Sequence, residues 1–141
     1  MALIGRLRFG DNGSGLYYRE YQVRSLNLKF ERGSGIIGQD RVCKCENITV
    51  VTESPDESDM TLYDWFIDET MLSGCIEMEE DGFTEDIYRR IIRFENARCH
   101  KISETYDISL KERRTISIEF VPAQSEIEGV VLENDWIRDL Q

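Results

Sequence analysis

Four cysteines and one histidine are the side chains of this sequence best suited to metal or nucleophilic chemistry. Cys43 and Cys45 are spaced as C-x-C, and Cys99 directly precedes His100. Thiolates and imidazole bind four-coordinate zinc, but structural zinc sites usually carry two cysteines on a tight C-x2-C turn. Alternate residues of a strand hold their side chains about 7 Å apart, which is a long separation for two ligands of the same metal ion. The pattern therefore favours small buried thiols, with Cys75 as the fourth.

His100 lacks the sequence context of a catalytic residue. No serine or cysteine nucleophile lies near it in a recognisable elbow or signature. Nucleophile and base can meet from distant positions, so a Cys–His pair stays open at this stage. We predict no catalytic residue and no enzyme activity, and we expect His100 to lie on a surface or an interface.

Two further patterns resemble binding sites only superficially. Glycines 33, 35 and 38 are not followed by the lysine and helix of a phosphate-binding loop. An acidic cluster lacks the residue spacing of a calcium-binding loop and is typical of solvent-exposed turns. It comprises Glu77, Glu79, Glu80, Asp81, Glu85 and Asp86. We predict no cofactor and no bound metal.

Composition limits the class of protein. With 141 residues, of which 40% are hydrophobic, the chain is predicted to form one domain over residues 1–141. Its net charge of -11 argues against nucleic acid and anionic membranes as partners. No window approaches a membrane span, and the start lacks the apolar region of a cleavable signal. We expect assembly in the cytoplasm, reduced cysteines, and any export to proceed without a signal peptide.

Period-two alternation of apolar and polar residues dominates the chain and predicts strands. The turn at 11–15 separates the first two, and the change of parity near Ser25 predicts a bulge in the second. The predicted strands span residues 2–9, 16–30, 41–52, 75–79, 87–94, 97–106 and 114–121, with an additional edge strand or docked segment in 127–136.

A single helix interrupts this pattern. Leu62, Trp65 and Phe66 follow the i, i+3, i+4 spacing of one helical stripe, with Ser58 or Asp59 as the N-cap. The helix is predicted over about 59–70. Together these elements predict a mainly β fold, a compact β-barrel or sandwich of seven or eight strands with one flanking α-helix.

The candidate site residues are surfaces for self-association. A glycine-rich loop with two apolar residues at its middle is predicted to protrude; its residues are Gly33, Gly35, Ile36, Ile37, Gly38 and Asp40. Basic strips beside acidic turns are predicted to pair between neighbouring copies, through Arg89, Arg90, Arg93, Glu79 and Asp81. The alternative, that these charges simply face solvent on their strands, stays open.

The order of elements resembles the tube proteins of type VI secretion systems, the haemolysin-coregulated-protein family, in the TssD form of Bacteroidetes. The resemblance covers nearly the whole chain and is carried by Gly5-Arg6-Leu7-Arg8-Phe9, Tyr21-Gln22-Val23, Leu62-Tyr63-Asp64-Trp65-Phe66, Gly74-Cys75-Ile76-Glu77, residues 92–99, Thr115-Ile116-Ser117-Ile118 and Asn134-Asp135-Trp136. Phage tail-tube proteins are related to this family.

The resemblance implies a mechanical function. It implies hexameric rings that stack into the inner tube of a contractile injection apparatus, with the loop at 33–41 contacting the next ring. It also implies sheath, spike and effector proteins as partners, and secretion to the exterior with effectors.

Three alternatives stay open on the residues alone. The first is a monomeric β-barrel that binds a small ligand or a protein, which an occupied apolar cavity would favour. The second is a metal-dependent enzyme that uses the Cys and His residues. The third is an adaptor or immunity protein encoded near a secretion cluster.

Overall fold

The computed structural model describes residues 3–32, 43–55, 57–80, 89–109, 113–127 and 130–133. Within these ranges the chain forms eight strands and one short helix, which confirms the predicted mainly β fold with one flanking helix. In chain order they are β1 (Leu3–Asp11), β2 (Leu16–Arg32), β3 (Cys43–Glu53), α1 (Thr61–Ile67), β4 (Met71–Glu80), β5 (Arg89–Asp107), β6 (Arg113–Val121), β7 (Gln124–Ile127) and β8 (Val130–Glu133).

Six of the strands close into an antiparallel barrel. Their order is β4-β1-β2-β3-β6-β5, and β4 pairs with β5 to complete the circle. β7 continues the path of β6 along β5, because Arg98 pairs with Val121 and Glu95 with Gln124 in one register. β8 then pairs with β7 outside the barrel.

β5 is one strand where the sequence analysis predicted two. The predicted break between 94 and 97 is instead a bend at Asn96, whose φ is 50°. Asparagine tolerates this left-handed conformation better than most residues. The Asn96 N–H donates to Ser73 Oγ at 3.0 Å, beside an irregularity in β4 between Leu72 and Gly74. The strand therefore turns without ending, and both halves remain paired.

An aromatic cluster fills the interior of the barrel. Phe9 packs edge-on against Tyr21, Trp65 and Phe94, with ring centroids 5.9, 5.2 and 6.2 Å away. Phe120 lies 5.0 Å from both Trp65 and Phe94. Aliphatic side chains on the inner faces complete the core, among them Leu7, Ile48, Val50, Ile76, Ile116 and Ile118.

α1 covers one end of the barrel, which we call the helix end. Leu62 and Trp65 are buried as predicted, whereas Phe66 is 37% exposed. The helix is also shorter than predicted, and its N-cap is Met60 and not Ser58 or Asp59. Asp59 still contributes, because its carboxylate accepts from the Thr61 N–H at 3.0 Å and from the Tyr21 hydroxyl at 2.9 Å. In the described part of the chain no helix has the length and hydropathy to span a membrane.

β2 and β3 continue past the barrel at the opposite end. The predicted bulge near Ser25 is present, as a register shift between Val23 and Ser25. β1 pairs with β2 as far as Val23, and β6 pairs with β3 from Ile48. Residues 29–32 and 43–47 therefore pair only with each other in the described structure. We call them the β2–β3 ribbon. It leads into residues 33–42, which lie outside the described residues.

Candidate functional site

The thiols and the histidine do not converge. Cys75 and Cys99 are free and buried. Cys99 points into the core, whereas His100 is exposed and its Nε2 lies 3.0 Å from Asn47 Oδ1. The side chains of Cys43 and Cys45 are outside the described set. Among the side chains that are described, no group of three or more His, Cys, Asp or Glu is placed to hold a metal ion.

Burial also suppresses the reactivity of the two thiols. It raises the pKa of Cys75, and it raises the pKa of Cys99 to about 11. Because the thiolate is the reacting form, we expect iodoacetamide at pH 8 to label both cysteines more slowly in folded protein than in guanidinium chloride, and Cys99 about a hundredfold more slowly. Peptide mapping by mass spectrometry would measure each cysteine separately. Equal labelling rates in the two conditions would contradict the buried placement.

A charged face lies outside β2, β1, β4, β5 and β7. Arg8 joins two carboxylates, with Nε 2.8 Å from Glu20 Oε1 and Nη1 3.0 Å from Glu77 Oε2. Glu77 is only 6% exposed, so this pair is shielded from water. Farther along the same face, Arg6 lies 3.6 Å from Glu79 and Arg93 lies 3.9 Å from Glu126.

This face contains part of the predicted lateral contact. Glu79 and Arg93 lie on it, each beside an opposite charge of the same chain. Arg90 pairs with Met78 across β4 and β5, and it has the parity of the buried Ile92, so it does not share the face of Arg93. The side chain of Arg89 and all of Asp81 are outside the described residues. The contact between copies stays a prediction for these residues.

Asn12 forms a hydrogen-bonding centre that the sequence analysis treated only as a turn residue. Its Nδ2 lies 2.9 Å from Gly74 O, 3.1 Å from Phe94 O and 3.0 Å from Glu95 Oε1. Its Oδ1 accepts from the Tyr17 hydroxyl at 2.7 Å. Burial raises the pKa of Tyr17 to about 12, so this hydroxyl stays a donor at neutral pH. The β1–β2 turn is thereby tied to β4 and β5.

A second polar centre holds α1 against the β5–β6 hairpin. Glu104 accepts a hydrogen bond from the Tyr63 hydroxyl, another from Tyr106 at 3.0 Å, and lies 3.0 Å from Arg114 Nε. The bond to Glu104 raises the pKa of Tyr63 to about 12. Arg114 also donates to the Pro55 carbonyl at 3.2 Å, on the segment that precedes the helix. These contacts fix the position of α1 relative to the β5–β6 hairpin at the helix end of the barrel.

Most of the exposed large apolar side chains of the described residues lie outside the β2–β3 ribbon. Of the nine large hydrophobic residues exposed in the described chain, only Phe30 lies on the β2–β3 ribbon. The other eight belong to the start of β2, to α1 and its flanks, or to the β5–β6 hairpin; they are Leu16, Tyr18, Met60, Phe66, Ile67, Met71, Tyr106 and Ile108. Three of these residues, Met60, Phe66 and Ile67, lie on α1 or directly before it, so part of the helix end is apolar.

The predicted inter-ring loop is not among the described residues. Gly33, Gly35, Ile36, Ile37, Gly38 and Asp40 all fall in the range that separates β2 from β3. What precedes them is described, and Phe30 on the ribbon is 44% exposed. The apolar surface at the helix end was missed at the level of sequence, because Phe66 shares the helical spacing of the buried Leu62 and Trp65.

Comparison with known proteins relates nearly the whole chain to one family. The family model described as hemolysin coregulated protein Hcp (TssD) matches residues 6–137. A search of curated proteins by sequence found no match. Among solved structures, Hcp1 from Flavobacterium johnsoniae superposes with a TM-score of 0.69 at 15% identity, covering 93% of this chain and 99% of that one. The secreted protein Hcp3 from Pseudomonas aeruginosa superposes with a TM-score of 0.62 at 14% identity, covering 96% and 99%.

Proposed function

Because the chain belongs to the hemolysin coregulated protein (Hcp, TssD) family, it is an inner-tube subunit of a type VI secretion system, and we propose that it assembles as hexameric rings that stack into the tube. The match of the family model to residues 6–137 is the observation that supports this proposal. The tube would be expelled to the exterior with effector proteins, inside a contracting sheath and behind a spike. Assembly would take place in the cytoplasm.

The shape of the subunit supports a stacking function. A head-to-tail interface joins two unlike surfaces, and such interfaces repeat without limit when they do not close. The barrel offers two unlike ends, the helix end with its exposed apolar residues and the end that carries the β2–β3 ribbon. The interior itself is occupied by Phe9, Trp65 and Phe120, which argues against a ligand cavity inside the barrel.

Electron microscopy of the purified protein, together with sedimentation velocity, tests the ring. We expect particles with a central channel and the mass of six copies, and longer tubes as the protein concentration rises. A strict monomer at high concentration would overturn the proposal and would favour the adaptor or binding-protein alternatives.

The loop contact is tested by replacing both isoleucines at its middle. We expect Ile36→Asp with Ile37→Asp to leave the barrel folded and to abolish tube growth, because a charge cannot be buried in an apolar contact without a partner. Tube length in micrographs and the unfolding temperature would be measured together. The matched variant Ile36→Val with Ile37→Val keeps the apolar character and should still form tubes. Normal tubes from the aspartate variant would contradict the loop contact.

A further inference from the structure

The β1–β2 turn contains the only Asn-Gly dipeptide of the sequence. Asparagine occurs at five positions, and Asn12 alone is followed by a glycine, Gly13. In an unfolded chain this dipeptide is prone to deamidation, because glycine has no side chain that would keep its backbone nitrogen away from the asparagine side chain. We propose that Asn12 is a chemical modification site, which the hydrogen bonds of the folded turn protect and which the unfolded chain exposes.

The reaction at this site needs only water as a second reactant. The backbone nitrogen of Gly13 attacks the Cγ atom of Asn12 and gives up its proton, while the side-chain amide of Asn12 leaves as ammonia. The new bond closes a succinimide ring. Water then opens the ring at one of its two carbonyl carbons, and the product is an aspartate or an isoaspartate at position 12. An amide is thereby exchanged for a carboxylate.

Hydrogen bonds engage both reacting groups in the folded protein. The Asn12 amide nitrogen lies within 3.1 Å of three oxygen atoms of β4 and β5, and its Oδ1 accepts from the Tyr17 hydroxyl at 2.7 Å. The Gly13 N–H donates to Asp11 Oδ1 at 2.9 Å. Gly13 is exposed and Asn12 is only partly buried, so water reaches the turn. The protection therefore comes from these hydrogen bonds and is lost when the turn opens.

The modified side chain no longer fits the site. The amide nitrogen of Asn12 faces three oxygen atoms, so the site requires a hydrogen-bond donor, and an ionised carboxylate has none. One of the three oxygens belongs to the Glu95 carboxylate, which would repel a second negative charge. An isoaspartate also lengthens the main chain within the turn. A chain that is modified while unfolded therefore refolds without the tie between the β1–β2 turn and β4 and β5.

The rate of deamidation in folded and in unfolded full-length protein tests the protection. Samples are kept at pH 8 in buffer or in guanidinium chloride, and peptide mass spectrometry measures conversion at each asparagine. We expect Asn12 to convert at least ~tenfold more slowly in the folded protein. In guanidinium chloride it should convert faster than Asn27, and Gly13→Ala should slow it, because a Cβ hinders the attack. Equal rates in the two conditions, or no effect of Gly13→Ala, would overturn the proposal.

Removing single hydrogen bonds tests the cause of the protection. Tyr17→Phe deletes the donor to Asn12 Oδ1 and keeps the ring, and it should raise conversion in the folded protein about fivefold, the effect of one hydrogen bond. Glu95→Ala deletes an acceptor of the amide nitrogen and should act in the same direction. Tyr18→Phe, at an exposed position beside Tyr17, is the matched control and should change nothing. Circular dichroism confirms that each variant is folded. Unchanged conversion in both Tyr17→Phe and Glu95→Ala would refute the role of the hydrogen bonds.

A permanent carboxylate at position 12 tests the consequence of the modification. We expect Asn12→Asp to unfold at a lower denaturant concentration than the wild-type protein, because the three oxygen atoms then lose their donor. Asn27→Asp makes the same chemical change at an exposed residue of β2 and should unfold at nearly the wild-type concentration. If the two variants unfolded together, the modification would not release the turn and the proposal would be wrong.

Discussion

Replacing Trp65 with alanine is expected to lower the free energy of unfolding by about 3–5 kcal/mol, because it removes the central ring of the core. Trp65 is 1% exposed and lies against Phe9 and Phe120, with centroids at 5.2 and 5.0 Å. Its Nε1–H donates to the Ala97 carbonyl at 3.0 Å, so the variant also leaves a buried acceptor without its donor. Chemical denaturation followed by circular dichroism measures the loss.

A neighbouring aromatic residue provides the control for Trp65. Phe66 is adjacent in sequence but 37% exposed, and Phe66→Ala should cost less than about 1 kcal/mol. Trp65→Phe, which keeps an aromatic ring but loses the indole donor and part of the buried volume, should fall between the two alanine variants. Similar losses for Trp65→Ala and Phe66→Ala would contradict the view that α1 is held to the barrel through Trp65.

Replacing Gly74 with alanine is expected to destabilise the barrel at its β1–β4 junction. A Cβ at Gly74 would lie 1.9 Å from the Arg8 carbonyl oxygen and 3.0 Å from the Phe9 Cα. These are backbone atoms of a paired strand, so they cannot rotate away as a side chain would. We expect a loss of about 3 kcal/mol, at the upper end of what overpacking usually costs. The Gly74 carbonyl also accepts from Asn12, so the same shift would disturb the tie to the β1–β2 turn.

Gly13 offers a matched glycine for comparison. It lies in the turn, and a Cβ there would meet only the Asp11 side chain, at 3.3 Å. Gly13→Ala should change the free energy of unfolding by no more than about 0.5 kcal/mol. If both glycine variants unfolded at the same denaturant concentration, the close approach at Gly74 would be wrong.

Side-chain periodicity was sufficient to predict most of the fold. The change of parity near Ser25 identified a bulge, because a slip of one residue exchanges the two faces of a strand. Ile116, Ile118 and Phe120 likewise alternate with polar residues, and all three lie in the core. The break expected near Asn96 failed for a specific reason. A polar residue that tolerates a left-handed conformation can end a strand or bend it, and the hydrogen bond to Ser73 that decides between them comes from a distant strand.

The assembly surfaces were only partly accessible to such reasoning. The isoleucines of the loop at 33–41 stand among glycines, so their exposure is predicted from composition, and it stays a prediction because they lie outside the described residues. Phe66 and Ile67 adjoin buried residues of the same helix, and local spacing does not reveal where the buried stripe ends. The hydrogen bonds of Asn12 could not be predicted either, because its partners Gly74 and Phe94 are far away in the sequence. Contacts of that kind follow from the register of strands and not from any short motif.

The pairing of β1 with β4 also has a consequence during synthesis. Leu3 pairs with Glu80, so the barrel cannot close until the chain has been translated through β4. At about 5–20 residues per second, that interval lasts roughly 4–15 s on the ribosome. During this time one edge of β1 has no strand to pair with, and Leu7 and Phe9 are not yet covered by the rest of the core. Unpaired strand edges and exposed apolar side chains favour aggregation of a nascent chain. The topology therefore leaves the first strand with one unpaired edge and two uncovered core side chains until the fourth strand is complete.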